Sequence, residues 1–354
     1  MSRARDFADL AGSAQGGGIT GANALINGQF AVSQRGTSFV AGANNDTDYT
    51  LDRWKLFSDG NDIVDVTQET TTVPTNRQFA IALDVETANK KFGIQQIIEQ
   101  KDCVNLIGET VTLSFQAKVS ATTNLDNVKA AIISWSGTAD DPTDDMISAW
   151  GAEGTDPTLA TNFTYENTPA NLNLTTSYAT YSVTATVDTA SAKNIIVFIW
   201  SDVTTTSAGE FLYLSDVKLE AGQTATPFEH EDFGTTLAKC QRYFQKSYDY
   251  GTNIGAATTV SAMFHRHTTG DSVSNRTPTI TFPVEMRAAT TTVVYSLNGT
   301  AAAASDCSTN FSHASDITST NFSGTDGTRG LSRLGLGTGA DAIVGFHYTA
   351  EAEL

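Results

Sequence analysis

An all-β protein is what this sequence predicts: a two-sheet sandwich joined by an α-helix to a second, smaller β domain. Runs of period-two alternation recur along the chain, most plainly where Val111, Leu113, Phe115, Ala117 and Val119 alternate with Thr112, Ser114, Gln116 and Lys118. A composition with 28 Gly and only 17% charged residues suits short strands and polar turns rather than a helical enzyme. In one stretch, Gly234 to Tyr248, the period changes to helical spacing, with Leu237, Cys240, Phe244 and Tyr248 on a single stripe. At 354 residues and 40% hydrophobic content the chain can bury a core on each side of that helix.

Taken in order, Ala4, Phe7, Ala8 and Ala11 share one face of a short helix that is marginal alone, and a Gly-rich linker over 12–21 leashes it to the body. Residues 1–20 therefore read as an attachment segment. The sandwich spans 21–232. Its first strand is predicted at Leu25–Ser33, with Ile26, Phe30 and Val32 inward and Asn27, Gln29, Ala31 and Ser33 outward. Further strands are predicted at Ile63–Val66, Phe79–Val85, Val111–Val119, Val128–Trp135, Tyr181–Val187, Ile195–Trp200 and Phe211–Leu219. Ile195–Trp200 has no polar face and should be covered on both sides, whereas Val111–Val119 should have one wet face. In the last strand Phe211, Tyr213, Val217 and Leu219, at even spacings, read as one buried face. The linking helix occupies 233–250. The second domain, 251–354, carries shorter strands at Val260–Phe264, Thr279–Val284, Thr292–Leu297 and Ala342–Tyr348.

With 39 acidic and 21 basic residues the net charge is -18, which opposes binding to nucleic acid or anionic lipid. Cys103, Cys240 and Cys307 are too few and scattered for a disulfide framework, and Cys240 reads as a buried free thiol. No secretory leader and no membrane-length apolar run is present, so a soluble protein without membrane insertion is expected. Gly-x-Ser-x-Gly, Walker-type and His-Glu-x-x-His patterns are missing, and the expectation is a non-enzyme.

Several short motifs act together. Asn27-Gly28-Gln29-Phe30 with Gln34-Arg35-Gly36, then Asp52-Arg53-Trp54, then the segment Leu219–Glu229, resemble virion proteins of tailed phages that carry a jelly-roll module like carbohydrate-binding modules. Cys240–Tyr248 and Phe282–Ala288 are similar to parts of a small C-terminal β domain of such fibre proteins, and Ser2–Leu10 to their attachment start. The resemblance implies a jelly-roll sandwich and a trimeric tail-associated adhesin. It would be made in the host cytoplasm and built into the virion, joined to other tail or capsid proteins through Phe7 and Leu10 and gripping a host surface glycan. A capsid decoration protein and a glycan-degrading tailspike are the alternatives.

The longest irregular tract, Trp135 to Tyr178, is where a binding loop is expected. Trp150, Trp135 and Tyr165 are its candidate saccharide platforms, because an exposed ring offers a flat apolar face to a sugar. Trp54 and Trp200 are expected in the core. Asp140, Asp141, Asp144 and Asp145 could together hold Ca²⁺ through carboxylate oxygens, although their spacing is not that of an EF-hand. His265 and His267 share a face of an extended segment and, around a trimer axis, could present imidazoles to a transition metal.

Overall fold

The structure, a computed structural model, describes residues 22–266, 280–307, 311–317, 327–331 and 343–354. Phe7, Leu10 and His267 lie outside them. The chain divides into two compact units: one runs to Ser33 and resumes over Thr37–Asp232 with Leu354, and the other comprises Gln34–Gly36 with Phe233–Glu353.

The first unit begins with β1 (Ser38–Phe39), β2 (Lys55–Ser58), β3 (Val64–Glu69), β4 (Ala80–Val85) and β5 (Phe92–Ile98). A short helix α1 (Gln100–Cys103) precedes β6 (Thr110–Val119), β7 (Val128–Trp135), β8 (Ile147–Ala149), β9 (Thr158–Leu159) and β10 (Phe163–Tyr165). β11 (Ala179–Thr186), β12 (Asn194–Ser201) and β13 (Phe211–Ala221) complete it. Sheet one has the order β1-β3-β4-β13-β6-β11 and sheet two the order β10-β7-β12-β5-β2, all antiparallel. From β4 to β7, and again from β11 to β13, long strands pass alternately between the sheets. That is a jelly-roll sandwich.

The core between the sheets takes Leu113 and Phe115 from β6, Ile195, Val197 and Ile199 from β12, and Leu212, Leu214, Val217 and Leu219 from β13. Strand β12 lies between β7 and β5 and is buried throughout, as its unbroken apolar run predicts. Strand β6 departs from its predicted wet face. Thr112 and Ser114 are buried, with Thr112 Oγ1 donating to the Gly222 carbonyl at 2.8 Å, and only Gln116 and Lys118 are partly open.

Three further expectations are corrected. Residues 25–33 form a coiled turn and not a strand, because Asn27 and Phe30 take positive φ (58° and 57°). Asn27 Nδ2 donates to the carbonyls of Val32 (2.8 Å) and Asp52 (3.0 Å), and Trp54 Nε1 donates to that of Asn27 (3.0 Å). Asn27-Gly28-Gln29-Phe30 and Asp52-Arg53-Trp54 thus knit together as one buried structural cluster. Gly28 is required there, since a Cβ would stand 2.0 Å from the Val217 carbonyl oxygen. Strand β13 carries a bulge between Ser215 and Lys218, with Asp216 at φ 52°, so Leu212 and Leu214 face the core and Phe211 and Tyr213 the outside. The linking helix, α2 (Phe233–Gln241), ends early. Phe244–Lys246 leaves the helical stripe to become strand β14 by pairing with the C-terminal strand.

The second unit is organised on that C-terminal strand. After β14 come β15 (Met263–Arg266), β16 (Ile280–Thr281), β17 (Thr291–Tyr295), β18 (Ala304–Asp306), β19 (Ser315–Ile317), β20 (Gly330–Leu331) and β21 (Ile343–Glu351). Strands β14, β15, β17 and β18 all pair with β21, and Phe346, Tyr348 and Ala350 join Ile280, Phe282 and Met286 in its core. Arg35 ties in here through Glu351 (3.0 Å) and Glu353 (3.2 Å), its guanidinium 3.9 Å from the Phe244 ring centroid. Among the described residues no helix is long and apolar enough to cross a membrane.

Candidate functional site: an aromatic wall on sheet two

Because β12 is apolar on both faces, sheet two presents a second hydrophobic surface on the side away from the sandwich core. Ile196, Phe198 and Trp200 form its middle, flanked by Phe57 of β2, Ile97 of β5, and Ala131, Ile133 and Trp135 of β7. The tract from 136 to 178 covers this surface. It contributes Met146, Ile147 and Phe163 fully, and Trp150, Leu159 and Tyr165 in part. The tract is therefore packed and contains strands β8 to β10.

The rings make a continuous wall. Phe198 and Trp200 stack at 4.8 Å with 10° between planes. Phe57 and Trp150 each approach Phe198 at 6.1 Å, and Tyr165 stands 6.5 Å from Trp200. Of the three predicted platform residues, Trp150 and Tyr165 are half-buried at the border of this wall, so the tract brings them together. Trp135 is not a platform: it is 3% exposed, meets Phe163 at 4.6 Å, and donates from Nε1 to the Thr138 carbonyl at 2.7 Å. Trp54 and Trp200 are both fully buried, as expected, Trp54 between the sheets and Trp200 in the second apolar cluster beneath the 136–178 tract.

Two polar atoms of the wall stand out. Trp200 Nε1 and Gln95 Oε1 are buried without any protein hydrogen-bond partner. Both belong to neighbouring rungs: Gln95 lies opposite Phe198, and Gly93 opposite Trp200. The remaining polar groups nearby are engaged. Lys91 pairs with Asp202 and donates to the carbonyls of Trp150 (3.3 Å), Ala152 (2.8 Å) and Thr155 (3.1 Å). Lys129 bridges Asp156 (2.8 Å) and Asp202 (2.9 Å); burial pulls its ammonium down, and the hydrogen bonds to both carboxylates outweigh that and raise it. The Tyr165 hydroxyl donates to the Pro157 carbonyl at 2.9 Å and is pushed up by burial, then by Asp156 and Asp202.

The four aspartates proposed for Ca²⁺ go separate ways. Asp140 accepts from the Gln100 amide (2.7 Å) and from Asn194 (2.6 Å), Asp144 pairs with Lys55, Asp145 accepts from the Ile147 amide (2.8 Å), and Asp141 is exposed. Among the described residues no three His, Cys, Asp or Glu side chains converge to hold a metal. His265 is half-buried on β15, opposite Val344. The three cysteines are buried and not joined by disulfides, and burial pushes the Cys103 thiol up to about 12.

No family model and no curated protein matches the chain. Solved structures do. The enzymatically active domain of tailspike protein 4 of bacteriophage CBA120 is 14% identical, over 52% of this chain and 22% of that one, with a TM-score of 0.31. The CBM22-1 xylan-binding domain of Paenibacillus barcinonensis Xyn10C is 13% identical, over 58% of this chain and 98% of its own, with a TM-score of 0.30. A CBM4 module is 14% identical, over 55% of this chain and 98% of its own, with a TM-score of 0.31. The match spans about a fifth of the tailspike domain's length. These are likenesses of fold alone.

Proposed function

We propose that this chain is a carbohydrate-binding attachment subunit of a tailed-phage virion, of the tail-fibre or receptor-binding kind. It acts by binding and not by catalysis. The observation that carries the reading is the pair of half-open rings, Trp150 and Tyr165, at the border of the aromatic wall. They are backed by the Phe198–Trp200 stack, which lies fully buried beneath the 136–178 tract and holds them in place. A pyranose supplies a C–H face for the two open rings. The surrounding carboxylates, Asp202, Asp156 and Asp144, are held by lysines as counter-ions, an arrangement that favours binding over proton transfer.

The virion setting rests on the motif resemblance. Assembly as a homotrimer and joining to other virion proteins through residues 1–20 belong to the same proposal, with a host surface glycan as target.

The test is to screen the full-length protein against a printed set of neutral and acidic oligosaccharides and to titrate the best binder. Trp150→Ala and Tyr165→Ala should each weaken binding about tenfold, since loss of a stacked ring is worth roughly 1 kcal/mol or more. Failure of every oligosaccharide to bind, or unchanged affinity in both variants, overturns the reading.

A further inference from the structure

The bulge in β13 has an effect on the opposite sheet. It places Phe211 and Tyr213 on the outer face of sheet one as two parallel rings, 5.5 Å apart and 10° from coplanar, with Phe211 half-buried and Tyr213 9% exposed. Register fixes their neighbours. Across the sheet, Phe211 lies opposite Asp84, which lies opposite Asp65; Tyr213 lies opposite Ala82, which lies opposite Thr67. Only the methyl of Ala82 stands between Tyr213 and the Thr67 rung. On the neighbouring strand Lys118, directly opposite Tyr213, reaches over the rings of Tyr213 (5.4 Å) and Tyr178 (5.9 Å), and the Tyr178 hydroxyl donates to the Thr72 carbonyl at 2.8 Å, so Tyr213 is largely covered and Phe211 is the open ring.

Asp84 faces this platform with an oxygen, Oδ1, that is buried and has no protein hydrogen-bond partner. Burial, then Glu86 and Asp65, push its carboxyl up to about 6, and burial, then Glu86 and Asp62, push Asp65 up too. Carboxylates that crowd one another beside an apolar ring pair are a poor way to finish a sheet surface unless something brings donors to them. A sugar does so: its C–H face covers rings while its hydroxyls donate to carboxylates. The same charges repel a uronic or sialic acid.

We infer that the outer face of sheet one is a second saccharide site, taking a neutral glycan on the Phe211 ring with Asp84, directly opposite, accepting hydrogen bonds from its hydroxyls. The inference rests on the carbohydrate-binding reading above and places a further contact on the opposite side of the sandwich.

The experiment titrates full-length protein with cellohexaose, xylohexaose and maltohexaose, and with trigalacturonate as the acidic probe. Wild type, Trp150→Ala, and Trp150→Ala combined with Phe211→Ala or with Asp84→Asn are compared. Asp84→Asn keeps shape and removes a repelled charge, so it stays folded even should Phe211→Ala not, and circular dichroism checks both. The expected result is binding of a neutral hexasaccharide that survives in Trp150→Ala and falls at least tenfold further in either double variant, with no binding of trigalacturonate. Loss of all binding in Trp150→Ala, or double variants that bind like Trp150→Ala, overturns the second site and leaves the first standing. Binding unaffected by Trp150→Ala yet lost with Phe211 or Asp84 places the contact on sheet one alone. No binding by wild type sinks both.

Discussion

Lys91 and Asp202 form an ion pair in the buried interior, their side chains 1% and 0% exposed, and the same ammonium holds the carbonyls of Trp150, Ala152 and Thr155. The lysine thus occupies a ring of oxygens much as a bound cation would, and it fastens the turn after Trp150 to β5. Asp202 returns the favour by accepting from the Gly154 amide at 2.9 Å.

Breaking that pair leaves a buried carboxylate and three carbonyls short of a donor. Lys91→Met should therefore destabilise the first unit by about 3 kcal/mol, the lower end for a broken buried pair because Lys129 still neutralises Asp202. Thermal melting checks the size, and limited proteolysis should find new cleavage within 150–156. A variant that melts like wild type would show that the clamp contributes nothing.

Gly93 sits where β5 meets Trp200, and a Cβ there would lie 2.4 Å from the Ile199 carbonyl oxygen and 2.6 Å from Trp200 Cβ. Backbone on one side and a locked indole on the other cannot move aside cheaply. Gly93→Ala should cost about 3 kcal/mol by overpacking, read as a lowered melting temperature.

Acid should act on the second unit through His347. Its ring is 0% exposed, stacks on Tyr248 at 3.9 Å, and lies 3.2 Å from both Ser247 Oγ and the Thr258 carbonyl oxygen, so Nε2 donates to the carbonyl and Nδ1 accepts from the serine. Burial pulls its pKa down, which means folding favours the neutral ring. That contribution is complete above the unfolded value of about 6.5 and is lost as pH falls below it toward the lower folded value. Protection factors of the β21 amides, with the intrinsic pH dependence of exchange divided out, should fall between pH 7 and pH 5, and His347→Gln should flatten the dependence.

Asp84 gives the opposite sign in the first unit. Its carboxyl is raised to about 6, so the charged form destabilises above that pH, and protonation relieves the strain as pH falls toward the unfolded value near 3.8. Asp84→Asn should be more stable than wild type at pH 7.5 by roughly 1 kcal/mol after allowance for solvent screening, and the gap should narrow by pH 5 and close near pH 3.8. Equal stability at pH 7.5 would contradict the crowding of Asp84 by Glu86 and Asp65.

What the sequence revealed follows from how locally each feature is encoded. Val128–Trp135 and Ile195–Trp200 were legible because their apolar runs are long and their ends marked. Strands β2 and β5 were not, since buried Lys55, Gln95 and Gln96 interrupt the pattern; Gln96 is polar because it holds both the amide (2.7 Å) and the carbonyl (2.8 Å) of Ile26. Residues 25–33 alternate like a strand yet fold around Asn27, and a period count cannot see a positive φ. The helix was overextended because Phe244 fits a helical stripe and a strand equally well until β21 arrives to pair with it. Within the candidate site, Trp150 and Tyr165 were found by their place in a long polar tract. Trp200 is buried as its sequence context predicts, whereas the roles of Phe198 and Gln95 beside it are not legible because the return of that tract over sheet two is tertiary. Phe211 and Tyr213 were misread for one reason, the single inserted residue of a bulge. The signal was present in Leu212 and Leu214, which occupy the alternate positions.

Trp150 itself changes from a loop residue outside the core to a half-buried one against Phe198. Trp150→Ala should accordingly lower stability by about 1 to 2 kcal/mol, since a partly buried ring is lost, while the chain stays folded at 25 °C. Melting temperature reads the first effect and affinity for the best oligosaccharide the second. An unchanged melting temperature would place Trp150 off the wall.

The most direct test of saccharide binding at the aromatic wall is a crystal structure of the full-length protein with its best-binding oligosaccharide. The account predicts a sugar ring packed against the open faces of Trp150 and Tyr165, at ring-to-ring spacings of about 4 to 6 Å. A saccharide bound with both rings untouched would contradict it.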